Sequence, residues 1–560
     1  MDKRTILAVV LSLAVLLVYQ FFFTKPPVPQ KAAAPQQSAD QINKDKTPGS
    51  APAAANAVAK PSVKAATIKP EAPARDIKVE TSHYTAVFST RGAALKSLKL
   101  KNYHQDCYEC TDDIWPRLKG FFTGSKEVTK PKTKDFVELV DVRDGMPYPL
   151  AVTFPDSSAD VAPDAVFDTA AGKLDLINTK EKQQLVFSKT YDAVKVEKIF
   201  TFDPAGYVIG LEVKVHNLTS SPITQIPRLN WYQYVDPQKV DDSYGHDGPV
   251  VSVGGSIERQ EVKKLNSEST LGPNVLWGAF ESKYFIASFI PENPSLTNVV
   301  MTRDAANMVA VGMKGRKELI PGGQNSVFSY SLYLGPKQYD ILKTLGVSLE
   351  SAIDFGWFKW LAIPALWILN FLYGFVLNYG IAIIILTTII KIIFWPLGNL
   401  SYKSMNEMKK LQPKIEALKE KYKNDQSKIG QETMALYKEH KVNPFSGCLP
   451  MLIQIPVFFG LYKALMYSIE LRQSPLFFWI QDLSAPDPYY ITPIIMGATQ
   501  FISQKMTPAM GDPMQQKIML FMPVIFTFFF LNFPAGLVVY WLFNNILQIG
   551  QQYYINRKLA

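Results

Sequence analysis

Residues 380–396 read GIAIIILTTIIKIIFWP, and the rest of the chain is organised around what this stretch demands. Lys391 is its only charge. Extended to 373–395, the run rises at about 1.5 Å per residue and is long enough to cross a hydrocarbon core about 30 Å thick. Four more apolar runs follow at about 445–467, 489–506, 518–533 and 535–553, so the C-terminal part is predicted to be a helical membrane bundle. Among the connecting segments, 401–443 carries a strong Lys excess, whereas 470–488 holds one Arg and three acids. The positive-inside rule then places 401–443 in the cytoplasm, 470–488 outside and the C-terminus inside.

The 560 residues average to a mean hydropathy of +0.01 because a very apolar third is balanced by a polar remainder. The formal net charge of +10 does not indicate nucleic acid, since the Lys residues form no stripe with interleaved aromatics. At the N-terminus, Asp2-Lys3-Arg4 precedes an apolar run from Ile6 to Phe23. Thr24-Lys25-Pro26-Pro27 follows it where a signal peptidase site would need small residues, and the Ala32-Ala33-Ala34 run lies beyond proline and lysine. Residues 1–24 therefore read as an uncleaved transmembrane anchor with its N-terminus in the cytoplasm. Residues 25–75, rich in Ala, Pro and Lys, lack the apolar side chains for a core and read as a disordered tether.

From 76 to 348 the pattern changes to short alternating runs such as 84–88, 194–200 and 211–215, broken by Gly, Pro, Asp and Asn. Period-two alternation predicts a large antiparallel β domain, which after one span from the inside lies outside the cytoplasm. In the following segment, 349–400, Trp357, Phe358, Trp360 and Leu361 around Lys359 suggest an interfacial helix ahead of the first core span. Residues 401–444 repeat apolar side chains at helical spacing through Met405, Met408, Leu411, Ile415, Leu418 and Tyr422. The pattern breaks at Asn424-Asp425 and resumes with Ile429, Thr433, Leu436, Tyr437 and His440, which is a helical hairpin. Its seam either only joins the two helices or also receives a partner. Residues 445–560 supply the other four spans and a short tail.

Three cysteines are too few for a disulfide framework. Cys107 and Cys110 form a C-x-x-C with His104 nearby, but no second pair at zinc-ligand spacing completes a site, leaving a local disulfide or two loop thiols. Cys448 reads as a small core residue. No P-loop or glycine-rich phosphate loop is present, and no cofactor is expected.

Orienting each span by the charge rule gathers the polar side chains toward the cytoplasm. Thr387 and Lys391 share a face at i, i+4; Gln454 lies in the cytoplasmic half of its span; Gln500, Ser503 and Gln504 line one face of the next. Asn544, Gln548, Gln551 and Gln552 make a stripe in the last. Polar groups in hydrocarbon are unfavourable and normally face a wet cavity or one another. The outer halves are almost wholly apolar, so the pattern describes a hydrophilic vestibule open inward and closed outward. For Lys391 a second reading stands beside this one, because Pro396 is only five residues on and its stem reaches the lipid surface by snorkelling.

With these segments in view, the chain resembles the YidC-type membrane-protein insertases of Gram-negative bacteria, a family shared with mitochondrial oxidase-assembly and chloroplast Albino factors. The stretches that carry the resemblance are LQPKIEALKEKY (411–422), VNPFSGCLPMLIQIPVFFGLYKAL (442–465), LRQSPLFFWIQDLSAPDPYY (471–490) and DPMQQKIMLFMPVIFTFFFLNFPAGLVVYW (512–541). The resemblance implies a β-supersandwich outside the membrane, a five-helix core and a groove with one positive charge. It maps that charge, usually Arg, onto Lys391, and the substrate-contacting positions onto Thr387, Tyr540 and Trp541. It also implies nascent membrane proteins as clients, with the Sec translocon, the ribosome and the bilayer as partners. The chain ends at Asn556-Arg557-Lys558-Leu559-Ala560, without the long basic tail of some relatives. Two other classes fit the sequence less well: a sugar-binding or sugar-modifying activity of the β domain, for which the five histidines offer no acid/base set, and a small-solute transporter, for which no inverted repeat is visible.

Overall fold

The structure is a computed structural model that describes residues 73–105, 135–236, 245–265, 267–423, 425–440, 442, 449–507 and 513–559. The expected anchor, the tether up to residue 72, and Cys107, Cys110 and Cys448 lie outside the described residues.

Alternation in the sequence becomes strand between Asp76 and Pro336. Val194–Phe202 buries every second side chain and Val208–Asn217 does the same, because the pleat sends successive side chains to opposite faces. The two pair antiparallel with Val196 opposite Val215 and Phe200 opposite Leu211. They belong to an eight-stranded sheet whose order is Ser256–Arg259, Gly248–Val253, Val275–Glu281, Phe285–Pro291, Asn325–Pro336, Val208–Asn217, Val194–Phe202 and Gln183–Thr190. Two five-stranded sheets and a two-stranded ribbon complete the domain. Phe88, Phe200, Trp231, Trp277, Phe289, Met301 and Leu332 pack into one apolar cluster, the core of a sandwich. Burying each such side chain is worth about 1.5–3 kcal/mol.

The helical region starts with α1 (Tyr339–Thr344) and continues with α2 (Lys359–Val376), α3 (Tyr379–Ile393), α4 (Trp395–Lys421), α5 (Gln426–Glu439), α6 (Leu449–Tyr467), α7 (Ile491–Met506), α8 (Pro513–Phe530) and α9 (Ala535–Leu559). The apolar cluster of the sandwich runs on into Ala362 and Leu366 of α2 and Ala464 of α6. Polar contacts reinforce that junction. Arg472 donates to the carbonyls of His104 (2.7 Å) and Gln105 (3.0 Å), and Lys463 pairs with Asp354 at 3.4 Å.

Two expectations change here. The span expected at 373–395 is divided, because Leu377 adopts a left-handed conformation and Asn378 caps α3 by accepting from the Ile381 N–H at 3.0 Å. The helix expected around Trp357–Leu361 is present and runs over Gly356–Val376, which by length and composition alone also suffices to cross a membrane. The second change is at Phe394, where α3 ends and the axis bends 60° into α4, so the first arm of the hairpin starts at Trp395 rather than at 401. Pro396, which has no N–H to give to the preceding turn, sits at the start of α4. Shorter apolar stretches, Ile453–Tyr467 and Met519–Phe530, lie within α6 and α8. In the hairpin, Met405, Met408 and Leu411 are buried against Leu436 and Tyr437, so the seam joins the two arms near their root.

Candidate functional site

Each expected polar residue sits on a helix of the bundle. Thr387 is buried in α3 and donates its hydroxyl to the Ile383 carbonyl at 2.6 Å, the usual way a threonine satisfies itself in an apolar helix. Lys391 follows one turn later, half-buried, and makes no hydrogen bond or ion pair among the described residues. On α6, the amide of Gln454 donates to the Asn544 side-chain oxygen of α9 at 3.0 Å, and Tyr540 lies within hydrogen-bonding reach of Gln454. The indole N–H of Trp541 donates to Gln500 of α7 at 3.3 Å, while its ring stands edge-on to Phe458 at 4.7 Å. Ser503 is buried on α7, and Gln504 beside it is half-buried. Gln548 hydrogen-bonds Tyr402 of α4.

These contacts make α9 the hub, since one helix meets α4, α6 and α7 through polar side chains. They also divide what reads in sequence as a single stripe. Asn544 and Gln551, seven residues apart, face α6 and α4. Asn545 and Gln552, offset by one position and hence about 100° around the helix, face α7. Asn545 is buried and donates to the Met496 carbonyl (3.4 Å), and Gln552 donates to Thr507 at 3.4 Å. Asn545 was not singled out from the sequence, although its i, i+7 relation to Gln552 marks a second polar face. Gln551 and Gln552 are both buried. Asp487 is the other residue missed. It lies in the loop before α7 and accepts from Trp479 (3.1 Å), the Tyr489 N–H (2.9 Å), and both the N–H (2.7 Å) and hydroxyl (2.6 Å) of Thr492.

The set offers amide, hydroxyl and indole groups with one ammonium.

Comparisons with known proteins decide the family. The model for the 60Kd inner membrane protein matches residues 371–560, and that for the YidC periplasmic domain matches residues 126–368. A protein of Syntrophus aciditrophicus named membrane protein insertase YidC is 54% identical over 100% of both chains. The chain belongs to the YidC family of inner-membrane proteins. A second member of the YidC family, from Geobacter metallireducens, bears the same name and is 43% identical over 100% of this chain and 99% of its own. A crystal structure described as an active YidC insertase with the first transmembrane domain resolved covers 87% of this chain and 93% of its own at 21% identity, with a TM-score of 0.36. All ten expected positions, from Thr387 to Gln548, fall inside the region matched by the first family model, and the strands from Phe136 onward fall inside the second.

Proposed function

We propose that this chain inserts integral membrane proteins into the bacterial inner membrane and helps them fold, by a route through the cytoplasmic half of its helical bundle. The observation that carries the reading is the full-length 54% identity to a named membrane protein insertase. The route in this reading takes its chemistry from the polar contacts that α9 makes with α6 and α7, together with the ammonium of Lys391 on α3. In this reading the chain has an N-terminal anchor and a five-helix core of α3 with the start of α4, α6, α7, α8 and α9. Both termini and the α4–α5 hairpin face the cytoplasm, and the sandwich faces the periplasm. A segment with a short polar or acidic flank leaves water for a site where Lys391, Thr387, Gln454, Gln500, Ser503, Gln504, Tyr540, Trp541, Asn544 and Gln548 replace part of its hydration. The flank then crosses a thinner apolar barrier. Transfer of the segment's own Leu, Ile, Phe and Val residues, at about −0.3 to −0.6 kcal/mol each, drives the step. The hairpin receives the client from the ribosome, and the protein works alone or beside the Sec translocon. A 350 Å³ groove lined by Lys414, Leu418 and Lys421 of α4 and Glu432, Leu436 and Glu439 of α5 suits that reception.

The test is insertion of a client with an acidic flank into vesicles holding the full-length protein. Lys391→Ala is expected to slow insertion about tenfold, equivalent to about 1.4 kcal/mol of barrier, and Lys391→Arg to restore it. Equal rates for the three proteins would remove the electrostatic step. Cysteines placed at Gln504 and Asn544, both half-buried, are expected to react with a water-soluble thiol reagent from the cytoplasmic side, and protection of both would remove the wet route.

A further inference from the structure

Between Lys391 and the hairpin the helix axis turns by 60°, and a buried side chain from α9 is seated at that turn. Gln551, on the penultimate turns of α9, is 2% exposed. Its amide nitrogen donates to the Trp395 carbonyl at 3.0 Å and to the Asn399 side-chain oxygen at 3.1 Å. Between those two residues stands Gly398, where a Cβ would lie 2.6 Å from the Gln551 nitrogen and 3.0 Å from its oxygen. The amide thus lies on the backbone of the first turn of α4, in a seat that a Cβ at position 398 would crowd. Two flanking contacts continue the zipper: Trp395 stacks obliquely on Tyr554 at 6.5 Å, and Asn406 donates to Asn556 at 3.2 Å.

At the break Phe394 keeps two rungs of the ladder, donating to the Ile390 carbonyl and accepting from the Gly398 N–H at 3.0 Å each, but Pro396 has no N–H to add another, so tertiary contacts there help to set the bend angle. Buried amide hydrogen bonds are well suited to this, because a shifted axis leaves the donors unsatisfied. We infer that Gln551, seated on Gly398, is a positioning residue that sets the angle between α3 and α4, and so holds the client-receiving hairpin in register with the Lys391 face. This rests on the route proposed above, in which the hairpin hands the client to Lys391. Gln551 itself touches no client and acts through α4.

The test uses the full-length protein in lipid nanodiscs, with spin labels at Glu420 near the hairpin tip and Lys505 at the end of α7, both exposed. Gln551→Leu keeps the bulk and removes the donors. Gly398→Ala disturbs the same seat from the opposite helix, so the test does not depend on one variant folding. Both are expected to shift or broaden the label-to-label distance distribution and to slow client insertion about tenfold. The double variant Gly398→Ala with Gln551→Leu is expected to be no slower than the worse single one, because both remove one contact. Gln551→Asn, which keeps the amide but retracts it, should fall between. Unchanged distances in both single variants overturn the inference, as does a double variant whose defects simply multiply. Lys391→Ala, run alongside, separates the two failures. If Lys391→Ala leaves insertion unchanged while the distances still shift, the route is wrong but Gln551 does hold the bend.

Discussion

Lys198 occupies an inward position of the strand Val194–Phe202, between Val196 and Phe200, where the alternation calls for an apolar side chain. It is wholly buried and pairs with no carboxylate among the described residues. Instead its ammonium donates to three carbonyls, those of Gly92 (3.0 Å), Ala93 (2.6 Å) and Leu150 (2.6 Å), one for each of its hydrogens. Lys198 therefore ties three chain segments together at one point. Burial pushes its pKa down to about 7, well below its ordinary value. Between about pH 7 and the ordinary lysine range the unfolded chain binds the extra proton, so this group makes the folded domain more stable as pH rises through that window and contributes no slope below it. Urea titrations followed by tryptophan emission are expected to show that rise, and its disappearance in Lys198→Met. Equal slopes in the two proteins would argue that the amine is not confined as described. Apart from pH, Lys198→Met leaves three buried acceptors without a donor, each costing about 1–3 kcal/mol, so a loss of about 3 kcal/mol or more is expected at pH 7.

Among the elements, α7 shows best how a helix is held at both its start and its flank. Asp487 gathers four donors at its N-terminal end, and the macrodipole favours a negative charge there. Asp487→Ala should lower stability by about 2 kcal/mol in thermal unfolding of the detergent-solubilised protein, with Asp487→Asn between. A melting curve unmoved by Asp487→Ala would mean the loop finds another cap. On the flank, Gly497 of α7 packs directly on Thr527 of α8, and any Cβ there collides with the threonine hydroxyl. Close approach through small residues is how helices associate where lipid removes the hydrophobic drive between them. Gly497→Val is expected to separate α7 from α8. Disulfide formation between cysteine pairs placed across this contact, rapid in the parent and at least about tenfold slower in the variant, would report it. The break between α2 and α3 belongs to the same scale, since Asn378 is a short polar residue inside a hydropathy window that averages it away.

On the scale of the whole molecule, the sandwich and the helices are joined by an ionic cluster as well as by apolar packing. Glu281, fully buried in the eight-stranded sheet, accepts from Arg259 at 2.8 Å and from Lys337 at 2.9 Å. Arg259 also donates to the Ala352 carbonyl at 2.8 Å, in the segment that leads into α2. Removing one member of a buried ionic group leaves the others uncompensated and costs about 3–5 kcal/mol. Glu281→Ala is therefore expected to destabilise the β domain by that amount in chemical denaturation and to expose 349–358 to protease. A variant of parental stability would show that water replaces the carboxylate. Through this cluster and the Arg472 contact, the sandwich is fastened to the helices at two separate places.

Hydropathy, period-two alternation and loop charge were enough to divide this chain into a β domain and a helical region, because burial of apolar side chains is dictated locally by their spacing. The long stretches shared with the YidC family named it from sequence alone. What only the tertiary structure decided was how polar residues are partnered. Lys198 is legible as a misplaced charge, but its three carbonyls come from residues 48 to 106 positions away. The stripe on α9 divides into two faces because three different helices surround it. Gln551 gains its place from Gly398, more than 150 residues earlier, and no local pattern records that meeting. Spacing along a helix specifies a direction around its axis; which neighbour stands in that direction depends on the packing of the whole chain.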